Sequence, residues 1–324
     1  NKDDEPRMPL IGDISPDFTP EWLFSVGHIY HDKGIFSYLP LIEGFCAKSW
    51  HNLFEFNELE TKSLYKKQIK RSRESQCFPK SYWYRFNYGK WTLFLYAVSG
   101  NHKNQAGHFH EDLGSFVLYY DGNEVFIDLG RKSYDPYDKI SLFQKSAAGH
   151  NTILINDMGP GLPPNQQRYP EFYKSNDVAV THSLQKDKLT VRLEHTGFTR
   201  GFSNIGNHIR QFSFTEKDFD IEDNIFGSGD IDLNVSFYFN PDINFEVKAD
   251  NHLSVNFQLQ KNSYNFELVD NQQDVVNRHL IFSTSNPIHM SSQRYGDSIQ
   301  SACYQMNIDK IALPYSHHFH LSVD

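Results

Sequence analysis

From Phe78 onward the chain is written in short runs of Val, Ile, Thr, Tyr and Phe, each stopping at Gly, Asn or Asp. Lys90 to Val98, Ser115 to Tyr120, Glu124 to Asp128, Leu189 to His195, His208 to Phe214, Asp218 to Phe226, Val235 to Asn240, Leu253 to Leu259, Tyr264 to Val269 and His318 to Val323 follow this grammar. β-Branched and aromatic side chains suit a pleated, half-buried surface, and many such runs with no helical pattern between them close as an antiparallel sandwich or barrel. The expected fold class is mainly β: a large antiparallel β-sandwich over 79–324, preceded by a short α-helical segment within 1–78. In that segment Trp22, Leu23, Val26 and Ile29 recur at helical spacing, and Phe54 to Arg73 is long, charged and free of glycine. Residues 1–20, rich in Pro, Asp and Gly, read as a loop.

Composition narrows the function classes. The formal net charge is -9, and the one basic run, Lys66 to Arg73, reads as a solvated helix face, so a nucleic-acid partner is not expected. The longest apolar run, Trp91 to Val98, is too short to span a bilayer. Cys46, Cys77 and Cys303 lie far apart with no Cys-x-x-Cys, which suggests neither a disulfide framework nor a thiolate zinc site. No Gly-x-Ser-x-Gly elbow, Walker loop or Gly-x-Gly-x-x-Gly is present.

The chemistry concentrates between residues 107 and 151. His108, His110, Glu111, Asp112, Asp128 and His150 lie in this stretch, and neutral imidazole with carboxylate is a ligand set that zinc accepts. On an extended strand His108, His110 and Asp112 would share one face, which makes Asp112 a third ligand. Asp128 competes for that role. The Asp121-Gly122 pair signals a type I′ hairpin that would pair Tyr120 with Asn123 and Ser115 with Asp128, turning Asp128 away from His110. A break at Gly114 would shift the parity and turn His110 toward Asp128, so an irregularity between His110 and Ser115 is expected. His150 reads either as a ligand or as a loop histidine capped by Asn151. The Tyr315 to His320 cluster reads as a terminal edge strand with surface histidines, because no carboxylate is near in sequence before Asp324.

The series His108-x-His110-x-Asp112-x-Gly114-Ser115-Phe116, then Gly122, Asp128-x-Gly130, Tyr134 and His150-Asn151-Thr152 resembles the C-terminal β domain of heparinase II/III-like polysaccharide lyases, including related alginate lyases. The resemblance implies an N-terminal α-helical toroid followed by an antiparallel β-sandwich, with a substrate groove between them. It implies zinc held by His110, Asp128 and His150, which leaves Asp112 as a supporting partner and gives zinc a bracing role. It also implies that His108 faces the groove and helps to neutralise a uronate carboxylate, and that Tyr134 is the candidate acid, with Tyr137 as the other tyrosine near the same turn. The implied reaction is β-elimination on a uronic-acid-containing polysaccharide, a glycosaminoglycan or alginate.

The family's toroid is longer than the helical stretch here, so the chain is expected to lack part of the active site. Its expected partners are an acidic polysaccharide and the missing toroid or another chain. A bacterial, periplasmic or secreted location goes with that reading. Arg131, Lys132, Lys139, Lys145 and Arg168 are candidates for the positive field a polyanion requires. Two other readings stand beside the lyase: a non-catalytic carbohydrate-binding or scaffold sandwich stapled by zinc, and an iron oxygenase using His110, Asp128 and His150 as a facial triad.

Overall fold

The computed structural model describes residues 74–98, 110–160, 177–246, 254–269, 277–294 and 296–324. The helical readings over Glu21 to Arg73, the opening loop, His108 and Arg168 lie outside the described residues. The chain divides into two compact units, and Glu74–Asp324 falls in the second.

Among the described residues the first strands are β1 (Gln76–Phe78), β2 (Trp83–Tyr88), β3 (Trp91–Tyr96), β4 (Phe116–Tyr120) and β5 (Asn123–Phe126). These five form one meander in chain order. A short helix α1 (Lys139–Lys145) follows, capped by the Asp138 carboxylate, which accepts from the Ile140 N–H. This helix corrects the expectation that no helical element interrupts the strands. Its seven residues are too few for a periodic signal to stand out in the sequence.

The chain continues through β6 (Ile153–Ile155), β7 (Val178–Gln185), β8 (Lys188–His195), β9 (Ile205–Phe214), β10 (Asp218–Gly227) and β11 (Asp230–Tyr238). It ends with β12 (Asn244–Glu246), β13 (Ser254–Leu259), β14 (Asn262–Val269), β15 (Arg278–Ser283), β16 (Met290–Arg294), β17 (Asp297–Gln300), β18 (Cys303–Ala312) and β19 (Tyr315–Val323). One sheet has eight strands in the order β12-β13-β14-β19-β10-β9-β8-β7, and a second has four in the order β15-β18-β11-β6. β16 and β17 pair apart from both.

The eight-stranded sheet makes one layer of a sandwich. The five- and four-stranded sheets make the other, joined by the Phe126 to Phe239 bridge and the Ile127 N–H to Tyr238 carbonyl bond. Aromatic side chains interlock the layers: Phe116 meets Phe212 at 5.1 Å between ring centroids, Phe126 meets Phe266 at 5.1 Å, and Phe237 meets Phe319 at 4.8 Å. The antiparallel sandwich expected from the strand grammar is the observed fold.

β19 is an interior strand, flanked by β14 and β10, and not the terminal edge expected from its histidines. Its alternation explains the misreading, because Tyr315, Phe319, Leu321 and Val323 point into the core while His318 and His320 line the outer face. A carboxylate is also close. Asp220, on β10 directly across from His320, accepts from His318 Nε2 at 2.8 Å and from His320 Nδ1 at 2.9 Å.

Candidate metal and groove site

The hairpin β4–β5 turns where the sequence indicates. Asp121 and Gly122 both have positive φ, +51° and +82°, as a type I′ turn requires, and Tyr120 pairs with Asn123. The register then slips: Tyr119 opposes Glu124 but Leu118 opposes Phe126. This bulge lies in β5, and it shifts the parity so that Ser115 no longer aligns with Asp128. A second irregularity sits at the expected place. Residues 110–115 are a bend and turn closed by the Ser115 N–H to Asp112 carbonyl bond, with Gly114 at φ +82°. The extended strand through His110 and Asp112 is therefore not formed.

Together these two breaks bring His110, Asp128 and His150 into one buried region. His150 Nδ1 lies 2.7 Å from Asp128 Oδ2, and the second oxygen of Asp128 accepts from the Gly130 N–H at 2.9 Å. The His110 and His150 rings are 5.3 Å apart between centroids. Asp112 is buried beside them, where its charge, after burial itself, holds the Tyr96 phenol above its ordinary value. Glu111 is buried as well and takes the Ala147 N–H on one oxygen, while burial pushes its own carboxyl up.

The two imidazoles are set differently. Burial, then His150, Arg131 and Lys145, all lower the pKa of His110 well below its ordinary value, so it is held neutral with a lone pair. Burial opposes charge on His150 too, but Asp128, helped by Asp112 and Glu111, outweighs it and raises the pKa. In the neutral ring the same Asp128 bond puts the proton on Nδ1, and His150 Nε2 is then a buried acceptor with no hydrogen-bond partner among the described residues. Buried polar atoms are rarely left so, and a carboxylate-oriented imidazole with a free Nε2 suits a metal donor. Among the described residues no three His, Cys, Asp or Glu side chains have donor atoms already converged on a single point, since Asp128 is turned onto His150 Nδ1. The donor types are ones zinc accepts, but their donor atoms would have to move to meet at one point.

A dense polar web holds these segments. Asn151 Nδ2 donates to the Phe116 and Ile127 carbonyls, its Oδ1 accepts from the Tyr238 N–H at 2.7 Å, and its own N–H reaches Ser115 Oγ. Thr152 Oγ1 donates to the Leu113 carbonyl, and the Tyr238 hydroxyl donates to the Ala148 carbonyl. Asn151 is thus a hub and not merely a cap for His150. Arg210 and Gln144 also reach this region, and neither was singled out from the sequence. The available signal for Arg210 was an arginine in alternation with the inward Phe212 and Phe214 of the same strand.

Tyr134 and Tyr137 are exposed on the turn after Asp128, and the Arg131 guanidinium lies 3.4 Å from the Tyr134 ring centroid. Lys132 is held by Asp138 at 3.1 Å, so part of its charge is offset locally. No helix among the described residues is long and apolar enough to cross a membrane.

The family description Heparinase II/III-like, C-terminal, matches residues 70–290. A solved structure of heparan sulfate lyase HepC from Pedobacter heparinus is similar with a TM-score of 0.67 at 14% identity, covering 99% of this chain and 44% of that one. A heparinase III gene product with methylated lysines is similar at 0.65 and 14%, covering 99% and 43%. A further heparinase III structure gives 0.56 and 15%, covering 85% and 41%. This chain thus spans less than half the length of the solved structures it matches. No curated protein matches it by sequence.

Proposed function

This chain belongs to the heparinase II/III-like family through its C-terminal domain, and from that premise we propose that it supplies the β half of a polysaccharide lyase acting on a uronic-acid-containing chain by β-elimination. The observation that carries the reading is the buried pair of imidazoles and carboxylate at His110, His150 and Asp128, held against the family's Gly114-Ser115 turn. In such a reaction the proton at C5 is α to a carboxylate. The site must neutralise that carboxylate, take the C5 proton onto a side-chain base, stabilise the enolate as it forms and protonate O4 as the C4–O4 bond breaks to leave the unsaturated sugar end. His108 is assigned to the uronate carboxylate and Tyr134 to proton transfer at O4, with Arg131 orienting the phenol ring.

Zinc is part of the same proposal, with His110, Asp128 and His150 as its protein ligands. When bound, it would brace the loops that carry the groove residues and add positive charge near a polyanion. The 2.7 Å bond from His150 Nδ1 to Asp128 favours a second version, in which Asp128 orients His150 and the two histidines alone contact the ion. Zinc content in Asp128→Asn separates the two. Loss of binding supports Asp128 as a ligand, whereas affinity weakened by about 10–100-fold supports an orienting role.

The remaining part of the active site is assigned to the toroid that the longer relatives carry, and a periplasmic or secreted location accompanies this assignment. Mixing the chain, alone and joined to an N-terminal toroid, with heparan sulfate, alginate and other uronates tests the reaction through ultraviolet absorbance of the unsaturated product. A rise with one substrate class is expected. Polysaccharide binding with no rise in either form would favour the non-catalytic scaffold instead.

A further inference from the structure

Four neighbouring strands of the eight-stranded sheet carry polar side chains at positions that should be apolar. His195 on β8, His208 and Arg210 on β9, Asp223 on β10 and His317 on β19 all point inward and are buried. Register sets them in two adjacent rows of one cluster: His195 opposes His208 in one, and Arg210 opposes Asp223, which opposes His317, in the next. None of them belongs to the proposed metal or groove residues.

We infer that Arg210 is a positioning residue, which ties the two segments bearing His110 and His150 to the sheet. Its guanidinium uses both ends of its planar fork. Nε and Nη2 donate to the two oxygens of Asp223 at 2.7 and 2.9 Å, and Nη1 donates to the Gly114 carbonyl at 2.9 Å and the Asn151 carbonyl at 2.7 Å. Gly114 lies in the turn after His110, and Asn151 directly follows His150. One charged group therefore fixes the distance between the two loops. A lysine ammonium has no fork and cannot hold a carboxylate bidentately while bridging two carbonyls.

The rest of the cluster keeps Asp223 in place, and its protons run in one direction only. The Gly197 N–H donates to His195 Nδ1 at 3.1 Å, so the His195 proton is on Nε2. That proton must go to His208 Nδ1, 2.9 Å away, and the His208 proton on Nε2 then goes to Asp223 Oδ1 at 2.7 Å. Protonating His208 would put two protons in the gap between the imidazoles. Both histidines are thus held neutral, and the Asp223 charge is left to Arg210, with His317 Nε2 3.1 Å from its other oxygen.

The tether itself does not depend on the lyase reading, and only its consequence for catalysis rests on it. Hydrogen exchange of the full chain, without metal or substrate, tests it. In the wild type the amides of Ser115, Asn151 and Thr152 should exchange no faster than those of Phe212 and Ile221 on the sheet. In Arg210→Lys the first group should exchange about tenfold faster while the second is unchanged. Should Arg210→Lys fail to fold, the wild-type comparison still decides, since loop amides much faster than strand amides overturn the tether. Equal acceleration at both groups in the variant makes Arg210 merely structural and overturns it as well. If exchange behaves as expected but no uronate is cleaved, the tether stands and the lyase reading falls. If the lyase is active, Arg210→Lys should lower kcat with KM little changed.

Discussion

Asn151 satisfies two carbonyls and one N–H that are buried away from water. Each such group left unmatched costs about 1–3 kcal/mol, so Asn151→Ala should destabilise the domain by about 3 kcal/mol or more in urea unfolding. Asn151→Asp, nearly isosteric, should be worse, because it sets an acceptor against the Phe116 and Ile127 carbonyl oxygens. A loss under about 1 kcal/mol for the alanine variant would contradict the hub role. At Gly114 the φ of +82° is the constraint, since an added Cβ would meet Leu193 and Thr152 at an ordinary 3.5 Å. Gly114→Ala should therefore cost about 1–2 kcal/mol through backbone conformation alone, read by the same unfolding experiment. The ligand candidates were legible as residue types, His108, His110, Asp112, Asp128 and His150, and the family resemblance alone selected His110, Asp128 and His150 among them. Their closeness in space was not, because it depends in part on a bulge in β5 that no residue of Asn123 to Asp128 advertises.

At the scale of elements, the cluster across β8, β9, β10 and β19 sets how stability responds to pH. Burial, then His208, Arg210 and Arg200, lower the pKa of His195 against the opposing pull of Asp223. Burial also lowers His208, with Arg210 and His317 adding and the Asp223 bond opposing. Their folded pKa values lie below the unfolded value of about 6.5, so the unfolded chain takes up protons first as the pH falls. Stability from these groups is complete above about pH 6.5 and is lost on acidification toward the folded pKa values, by up to about 1.4 kcal/mol per pH unit for each histidine. His110 and His289, the latter lowered to about 4 by burial, act in the same direction, while His150 acts in the other. Urea midpoints should thus fall between about pH 6.5 and 5.5, and a flat or rising midpoint would contradict the assignment. Strands such as β8, β10 and β14 were readable from alternation because one face is mostly apolar, broken only by His195 on β8 and Asp223 on β10. β7 was missed because it is an edge strand with a mostly exposed, polar face, and β18 because Asp309 and Lys310 interrupt its apolar pattern.

For the whole molecule, the net charge of -9 disfavours a polyanion at long range, and any attraction has to come from the local field near the Asp128 to Lys145 segment. Such attraction is short in reach and sensitive to salt. Raising ionic strength from about 0.01 to 0.15 M shrinks the screening length from about 30 to 8 Å, and kcat/KM for a polymeric uronate should fall accordingly, whereas a neutral glycan ligand would show no such dependence. Fold class was legible at this scale from strand grammar alone, while the proposal that a toroid supplies the rest of the active site comes only from the family resemblance. The most direct test of the account is ultraviolet absorbance of unsaturated sugar ends when this chain, joined to an N-terminal toroid, meets a panel of uronic-acid polysaccharides. The account predicts a rise with at least one of them that is abolished by His108→Ala; no rise with any of them, in a folded protein that binds the polymer, would contradict it.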